Sequence, residues 1–69
     1  PNDTKILLKI SEYYFSINDY DNAFSYLLSN YQKNKEVIKK KLIEFFDVLG
    51  NEHEATKKFR KKFSTILFS

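Results

Sequence analysis

The side chains best suited to acid–base or metal chemistry lie together near the middle of the second half of the chain. His53 is the only histidine, and it stands between Glu52 and Glu54. Residues two apart on a helix do not face each other, so the two carboxylates do not share one site. A metal ion would need further ligands in a defined geometry, and no serine has a neighbouring base that suggests a nucleophile. We therefore predict no enzymatic activity, no metal site and no cofactor, with His53 exposed.

A second chemically suggestive stretch is the basic cluster "KKFRKK" at residues 57–62. Its five cationic side chains could neutralise phosphates, and such binding would weaken steeply with salt. Base readout and bidentate phosphate contacts favour arginine, however, and Arg60 is the only arginine in the chain. Charge runs of this kind commonly form a solvated helix face. A nucleic-acid site is therefore kept as an alternative and is not the favoured interpretation.

The composition limits the chain to one small domain. It has 69 residues, of which 42% are hydrophobic and 17% aromatic, and no cysteine. A chain this short needs all its large side chains for a core, so a membrane-surface role for the amphipathic last helix is not favoured. No apolar run approaches the ~18 residues of a membrane span. Because the chain starts at Pro1 without a methionine, we expect residues 1–69 to be a single domain that is a fragment or processed product of a longer protein.

Apolar spacing and the near absence of breakers predict four helices. The first runs to about residue 17, the second to about residue 31, and Gly50 ends the third through a left-handed conformation. Short connections make consecutive helices antiparallel neighbours. The candidate capping or starting residues are Asn2, Asp3 or Thr4 for the first helix, Asp19 for the second, Asn34 for the third, and Asn51 or Glu52 for the fourth.

Stripes of apolar residues at helical spacing predict which side chains form the core. On the third helix, for example, they recur at intervals of four, three and four residues. The predicted core residues are Leu7, Ile10, Tyr14, Ile17, Ala23, Phe24, Leu27, Ile38, Leu42, Phe45, Leu49, Ala55, Phe59, Phe63 and Ile66.

The first predicted hairpin resembles a tetratricopeptide repeat. That repeat places large and small residues alternately on its first helix, then a turn similar to Gly-Asp-Tyr, then a small and a large residue on its second helix. The matching residues here are Leu7, Ile10, Ser11, Tyr14, Asn18, Asp19, Tyr20, Ala23 and Phe24. Asn18 departs from the usual glycine. The resemblance implies helices that cross closely at their small residues.

The second hairpin resembles the end of thioredoxin-like co-chaperones (chaperedoxins) that carry a C-terminal tetratricopeptide domain. That family has a basic residue and leucine, an aromatic and Leu-Gly, followed by a basic triplet, an apolar residue, serine and a terminal Leu-Phe. The matching residues are Lys41, Leu42, Phe46, Leu49, Gly50, Arg60, Lys61, Lys62, Phe63, Ser64, Leu67 and Phe68. The departures are lysine where arginine is usual, residues 35–37 where an arginine and often a tryptophan occur, and Asn51 where proline or aspartate is common.

These resemblances imply an all-α fold of two stacked antiparallel hairpins and a function in protein–protein interaction. The family implies a cytoplasmic co-chaperone that binds unfolded clients and docks on chaperones, including the chaperonin. From the residues left over by the core, we predict a partner-binding site in which apolar side chains dock and basic ones steer an acidic surface. A nucleic-acid-binding domain and a purely structural cap of a repeat array stay open, as does homo-oligomerisation. The predicted partner-binding residues are Arg60, Lys61, Phe63, Leu67 and Phe68.

Overall fold

The computed structural model describes residues 3–68, and every regular element in that range is helical. The elements are α1 (Asp3–Ser16), α2 (Tyr20–Ser29), a 3₁₀ turn (Tyr31–Lys33), α3 (Lys35–Leu49) and α4 (Glu54–Leu67). α1 packs along α2, and α3 contacts both of them and α4. The predicted all-α fold of two stacked hairpins is therefore confirmed. The candidate cap Asn2 lies outside the described residues.

The turn between α1 and α2 uses Asn18 in a left-handed conformation, with φ of 64°. The Asn18 amide donates to the carbonyl of Phe15 at 3.0 Å, and the Asp19 amide donates to that of Tyr14 at 2.9 Å. This pair of bonds is the Schellman motif, in which asparagine is the usual substitute for glycine. The Asp19 carboxylate then accepts from the Asn22 amide at 3.3 Å and begins α2. The predicted cap at Asp19 is confirmed, and one turn both ends α1 and starts α2.

Both predicted boundaries of α3 are confirmed, but the left-handed conformation predicted for Gly50 was wrong, because its ψ of 162° is extended. The Asn34 side chain accepts a hydrogen bond from the Val37 amide at 3.3 Å. At the other end, Gly50 has φ of 89° and ψ of 162°, and its amide donates to the Phe46 carbonyl at 2.8 Å. This backbone region is essentially restricted to glycine. A Cβ at Gly50 would meet open space, so the conformation and not the packing requires glycine.

The start of α4 differs from the prediction. The helix begins at Glu54, and His53 is its capping residue. The Nδ1 atom of His53 accepts a hydrogen bond from the Ala55 amide at 3.0 Å. The imidazole ring of His53 also packs edge-on against the ring of Tyr20, with centroids 5.1 Å apart. His53 is therefore half-buried, and the prediction that it is exposed was wrong.

Phe24 lies at the centre of the core and joins the two hairpins. It is fully buried, and its ring stacks on Phe46 and on Phe59 with centroids 5.0 Å apart in each case. Phe45 meets the same ring edge-on at 5.8 Å. Aromatic pairs in these geometries add to the stability gained from burial alone. Phe24 of α2 therefore packs against both α3 and α4.

Most of the predicted core is confirmed, but α1 presents a different face. Ile17 is 53% exposed, and Ile10 is only half-buried and lies outside the core cluster, so these two predictions were wrong. α1 instead turns Leu8 and Phe15 inward, and Phe15 stacks on Phe45 at 4.1 Å. Apolar residues cover most of α1's circumference, and this contact with α3 selects which of them are buried. The confirmed residues are Leu7, Tyr14, Ala23, Phe24, Leu27, Ile38, Leu42, Phe45, Leu49, Ala55, Phe59, Phe63 and Ile66.

Candidate protein-interaction surface

The C-terminal end of α4 presents two large apolar side chains to solvent. Leu67 is 46% exposed and Phe68 is 87% exposed. The Phe68 amide still donates to the Ser64 carbonyl at 3.2 Å, so its backbone follows the last turn of the helix. Two apolar residues held by an ordered helix end form a small exposed patch of the kind that partners cover.

Basic residues lie on the same two sides of α4 as these apolar side chains. Arg60 precedes Leu67, and Lys61 precedes Phe68, by seven residues, which places each pair on one side of the helix. Arg60 is oriented by its neighbours: Nη1 donates to the Asn51 side-chain oxygen at 3.0 Å, and the guanidinium lies 5.2 Å from the Phe46 ring. Lys61 is exposed. We call Arg60, Lys61, Leu67 and Phe68 the terminal surface.

Phe63 was predicted to contact a partner, but the structure places it in the core. Its side chain is only 7% exposed, and its ring meets Tyr31 edge-on with centroids 5.3 Å apart. The 3₁₀ turn after α2 brings Tyr31 into this position, which the sequence did not indicate. A partner cannot reach Phe63 while this packing holds, so we assign it to the core and not to the terminal surface.

Two further basic side chains of α4 lie beside the ring of Phe59. Lys58 lies 3.3 Å from Asp21 of α2 and 5.1 Å from the Phe59 ring. Lys62 lies over the same ring at 5.4 Å. These two lysines therefore cover Phe59 on the side of α4 that faces α2. Because residues three and four apart are neighbours on a helix, Lys58 adjoins Lys61, and the lysines of α4 form one continuous basic face.

An ion cluster ties α1 to α3 on another face of the molecule. The Lys41 ammonium lies 2.6 Å from Glu12 and 2.6 Å from Glu44, and its side chain is only 15% exposed. Partial burial alone would lower the pKa of Lys41, but hydrogen bonds and charge attraction from the two carboxylates outweigh it and raise that pKa above 10.5. The cluster therefore links the two hairpins by ion pairs and favours the charged form of Lys41.

A groove of about 400 Å³ runs between α2 and α4. Leu28, Phe59 and Ile66 supply its apolar surface, and Lys62 lies among its lining residues. Sequence reasoning did not predict this groove. The groove is a shallow feature of the same helix that carries the terminal surface.

Sequence reasoning also missed several exposed apolar residues on α1 and α3. Ile6, Tyr13 and Ile17 are each more than half exposed on α1. On α3, Val48 is 68% exposed and Ile43 is 45% exposed. The apolar surface of α1 is therefore larger than that of α4.

The described residues offer little for other kinds of site. Within residues 3–68, no group of three or more histidine, aspartate or glutamate side chains is arranged to hold a metal ion. In the same range, no helix has the length and hydropathy needed to cross a bilayer. The features that stand out are helix faces, and helix faces bind other polypeptides through apolar contacts with a charged rim.

Two stacked helical hairpins with exposed apolar and basic helix faces define a helical-repeat interaction module. The sequence model of the tetratricopeptide repeat family matches residues 1–68. The chain therefore belongs to the tetratricopeptide repeat family, whose domains generally mediate protein–protein interaction and are typically not catalytic. Searches of curated proteins and of solved structures found no match to this chain.

Proposed function

We propose that this chain is the C-terminal tetratricopeptide domain of a thioredoxin-like co-chaperone that works in the cytoplasm. Support comes from the resemblance of its last two helices to that family, together with the family fold. In this role the domain docks on a chaperone, with the chaperonin as the first candidate, or on unfolded clients. It acts by binding and neither makes nor breaks a covalent bond.

The observation that carries this proposal is the exposure of Phe68, 87%, on an ordered turn of α4. Aromatic residues that enter a partner's pocket commonly supply much of the binding energy of an interface. Leu67 adds apolar area beside it, and Arg60 and Lys61 lie one to two turns earlier. Basic side chains at the rim speed association with an acidic surface and contribute less to its lifetime. The terminal surface therefore combines an anchor with electrostatic steering.

The proposal is tested by measuring the affinity of the purified chain for purified chaperonin at two salt concentrations. We expect Phe68→Ser to weaken binding by about tenfold or more, since a central anchor of this kind contributes above ~1.4 kcal/mol. Val48→Ser is the matched control, because Val48 is also highly exposed but lies on α3. Both variants should keep the circular dichroism spectrum of the unaltered chain.

Three results would contradict the proposal. One is equal binding by the chain and by Phe68→Ser. Another is equal loss in Phe68→Ser and Val48→Ser, which would indicate a diffuse apolar effect. The third is the absence of chaperonin binding combined with binding of a single-stranded oligonucleotide that falls steeply with salt, which would make the basic face the site.

A further inference from the structure

The groove between α2 and α4 follows an ion pair that joins these two helices. The Lys58 ammonium lies 3.3 Å from the Asp21 carboxylate. Ser25 follows Asp21 by one helical turn and Lys62 follows Lys58 by one turn, and both line the groove. The equal steps along the two helices therefore place Ser25 next to Lys62, in a second pair that repeats the first.

Lys62 lacks the carboxylate that the first pair contains. Among residues 3–68, no carboxylate lies within ion-pair distance of its ammonium, whereas Lys57 and Lys58 of the same helix each have one. The Lys62 ammonium lies over the Phe59 ring at 5.4 Å, which attracts a cation but carries no net charge. Ser25 is also uncharged. The charge of Lys62 is therefore left for a partner to neutralise.

The α2 edge of the groove offers hydrogen-bond donors. Ser25 and Ser29 are exposed and one turn apart, and neither hydroxyl has a partner among residues 3–68. Ser11 and Ser16, by contrast, each donate to a carbonyl of their own helix at 2.7 Å. A carboxylate held between the two edges would therefore meet an ammonium on α4 and a serine hydroxyl on α2.

The floor of the groove is apolar. Leu28 and Ile66 are half-buried, and Phe59 is 1% exposed. From Phe59 to Ile66 the floor follows α4 for roughly 10 Å, or about two turns. An apolar floor of this length with a charged rim fits an amphipathic helix that lies in the groove. Bases of a single-stranded nucleic acid would need an accessible ring for stacking, which the buried Phe59 does not supply.

We propose that this groove binds two turns of an acidic amphipathic helix from a partner protein. Two apolar side chains of that helix, one turn apart, lie on Leu28 and Ile66. A carboxylate beside them pairs with Lys62 and accepts a hydrogen bond from Ser25 or Ser29, so the partner supplies to Lys62 what Asp21 supplies to Lys58.

The groove and the terminal surface are separate binding surfaces. Arg60 and Lys62 are two residues apart, which is roughly 200° around the helix, so they lie on opposite sides of α4. A partner in the groove therefore leaves Arg60 and Leu67 accessible. This inference is independent of the proposed docking on a chaperone.

A second copy of the chain fits the groove poorly. Its exposed apolar residues have lysines beside them: Lys9 lies one turn from Tyr13 on α1, and Lys39 lies one turn from Ile43 on α3. Docking either helix would bring a cation towards Lys62. We therefore expect the chain to sediment as a monomer. A concentration-dependent dimer that Lys62→Glu abolishes would assign the groove to a second copy and overturn the proposal.

The test uses a capped helical peptide of alanine and glutamine, about 15 residues long so that the helix is populated. It carries two leucines one turn apart and a glutamate beside them. Titration into the isotopically labelled chain should shift the amide NMR signals of Ser25, Ser29 and Lys62, with a Kd of about 0.1–1 mM. Glutamine in place of the glutamate should weaken binding about twofold to fivefold. Serine in place of both leucines should weaken it more than tenfold.

Reversal of the charge on α4 tests the assigned partner of the carboxylate. Lys62→Glu should bind a peptide with lysine in place of the glutamate about twofold to fivefold more tightly than the glutamate peptide. The unaltered chain should show the opposite order. Lys40→Glu, at an exposed position on α3, is the matched control and should keep the order of the unaltered chain.

A carboxylate placed within the groove should compete with that of the peptide. Ser25→Asp gives Lys62 an internal partner and should weaken binding of the glutamate peptide about twofold to fivefold. Ser16→Asp, at an exposed position on α1, makes the same substitution outside the groove and should leave binding unchanged. Circular dichroism should show all four variants to be as helical as the unaltered chain.

Three NMR results would overturn the proposal. One is the absence of shifts at millimolar peptide. Another is equal affinity of the chain for the glutamate, glutamine and lysine peptides, which would remove the carboxylate from the interaction. The third is a set of shifts confined to α1 or to Leu67 and Phe68. Because Phe68→Ser should bind the peptide as the unaltered chain does, this outcome and that of the chaperonin experiment are separate.

Discussion

The two hairpins share a repeat pattern, and the comparison of equivalent positions shows how position in a stack determines burial. Tyr13 on α1 is 61% exposed, whereas Phe45, its equivalent on α3, is 3% exposed. Both are aromatic, and both lie on an apolar stripe with the same spacing. The difference arises because the first hairpin covers α3 and no element among residues 3–68 covers the stripe of α1. The apolar spacing is therefore the same on α1 and α3, and the neighbouring hairpin determines whether the stripe is buried.

The largest difference in stability between equivalent positions should come from truncating Phe45 and Tyr13 to alanine. Phe45→Ala should reduce the free energy of unfolding by about 3–5 kcal/mol, because it leaves a cavity beneath Phe15 and Phe24. Tyr13→Ala should change it by less than about 0.5 kcal/mol, as for most exposed positions. Urea denaturation followed by circular dichroism measures both. A similar loss of unfolding free energy in the two variants would mean that Tyr13 and the apolar face of α1 around it are covered in solution.

An intermediate effect is expected at the turns that end α1 and α3. Gly50→Ala should destabilise the chain by about 1–3 kcal/mol, because its backbone conformation is closed to residues with a Cβ. Asn18→Gly should be within about 1 kcal/mol of neutral, since the left-handed conformation of Asn18 suits glycine equally well. Thermal unfolding of both variants checks this. A larger loss at Asn18 than at Gly50 would show that its side-chain contacts, and not its backbone, secure the first turn.

The smallest effect concerns the equivalent lysines Lys41 and Lys9. Lys41→Met should cost about 1 kcal/mol or less, since its carboxylate partners are half exposed. Because the folded-state pKa of Lys41 is raised, its ion pairs stabilise the fold fully below pH ~10.4 and lose that contribution as the pH rises through the folded pKa. The difference in unfolding free energy between the chain and Lys41→Met should therefore shrink as the pH rises above ~10.4. Lys9→Met, at an exposed position, is the control and should show no comparable change.

A stability difference for Lys41→Met that stays constant as the pH rises above ~10.4 would contradict this assignment of the ion cluster. A double-mutant cycle between Lys41→Met and Glu12→Gln separates their coupling from the loss of packing around the lysine stem. Coupling near zero would show that the two hairpins are held together by their apolar contacts alone.

The sequence predicted the second hairpin better than the first. On α3, charged residues occupy the helix between the apolar ones, so only one stripe could face the core. On α1, apolar residues occur on nearly every side, and spacing alone selected Ile10 and Ile17 when the structure buries Leu8 and Phe15. That choice depends on the contact between Phe15 and Phe45, which joins residues distant in the sequence.

The start of α4 was missed, and Phe63, correctly predicted in the core, was wrongly predicted to contact a partner as well; the two errors have related reasons. His53 caps the helix through a ring nitrogen, a cap outside the serine, threonine, aspartate and asparagine side chains that sequence rules favour. Phe63 is removed from the surface by Tyr31, which a 3₁₀ turn places beside it. Both features depend on short irregular segments, where apolar spacing carries no information. The sequence left open whether Leu67 and Phe68 were exposed or packed, and the structure exposes both.

The turn at Asn18 and Asp19 has a consequence for how sequences of this kind can change in length. Because Asp19 both completes the end of α1 and caps α2, the turn contains no spare residue. An inserted residue within the first turn of α2 would rotate the rest of that helix by about 100° and carry Phe24 out of the core. Insertions and deletions in related chains should therefore be absent from this turn.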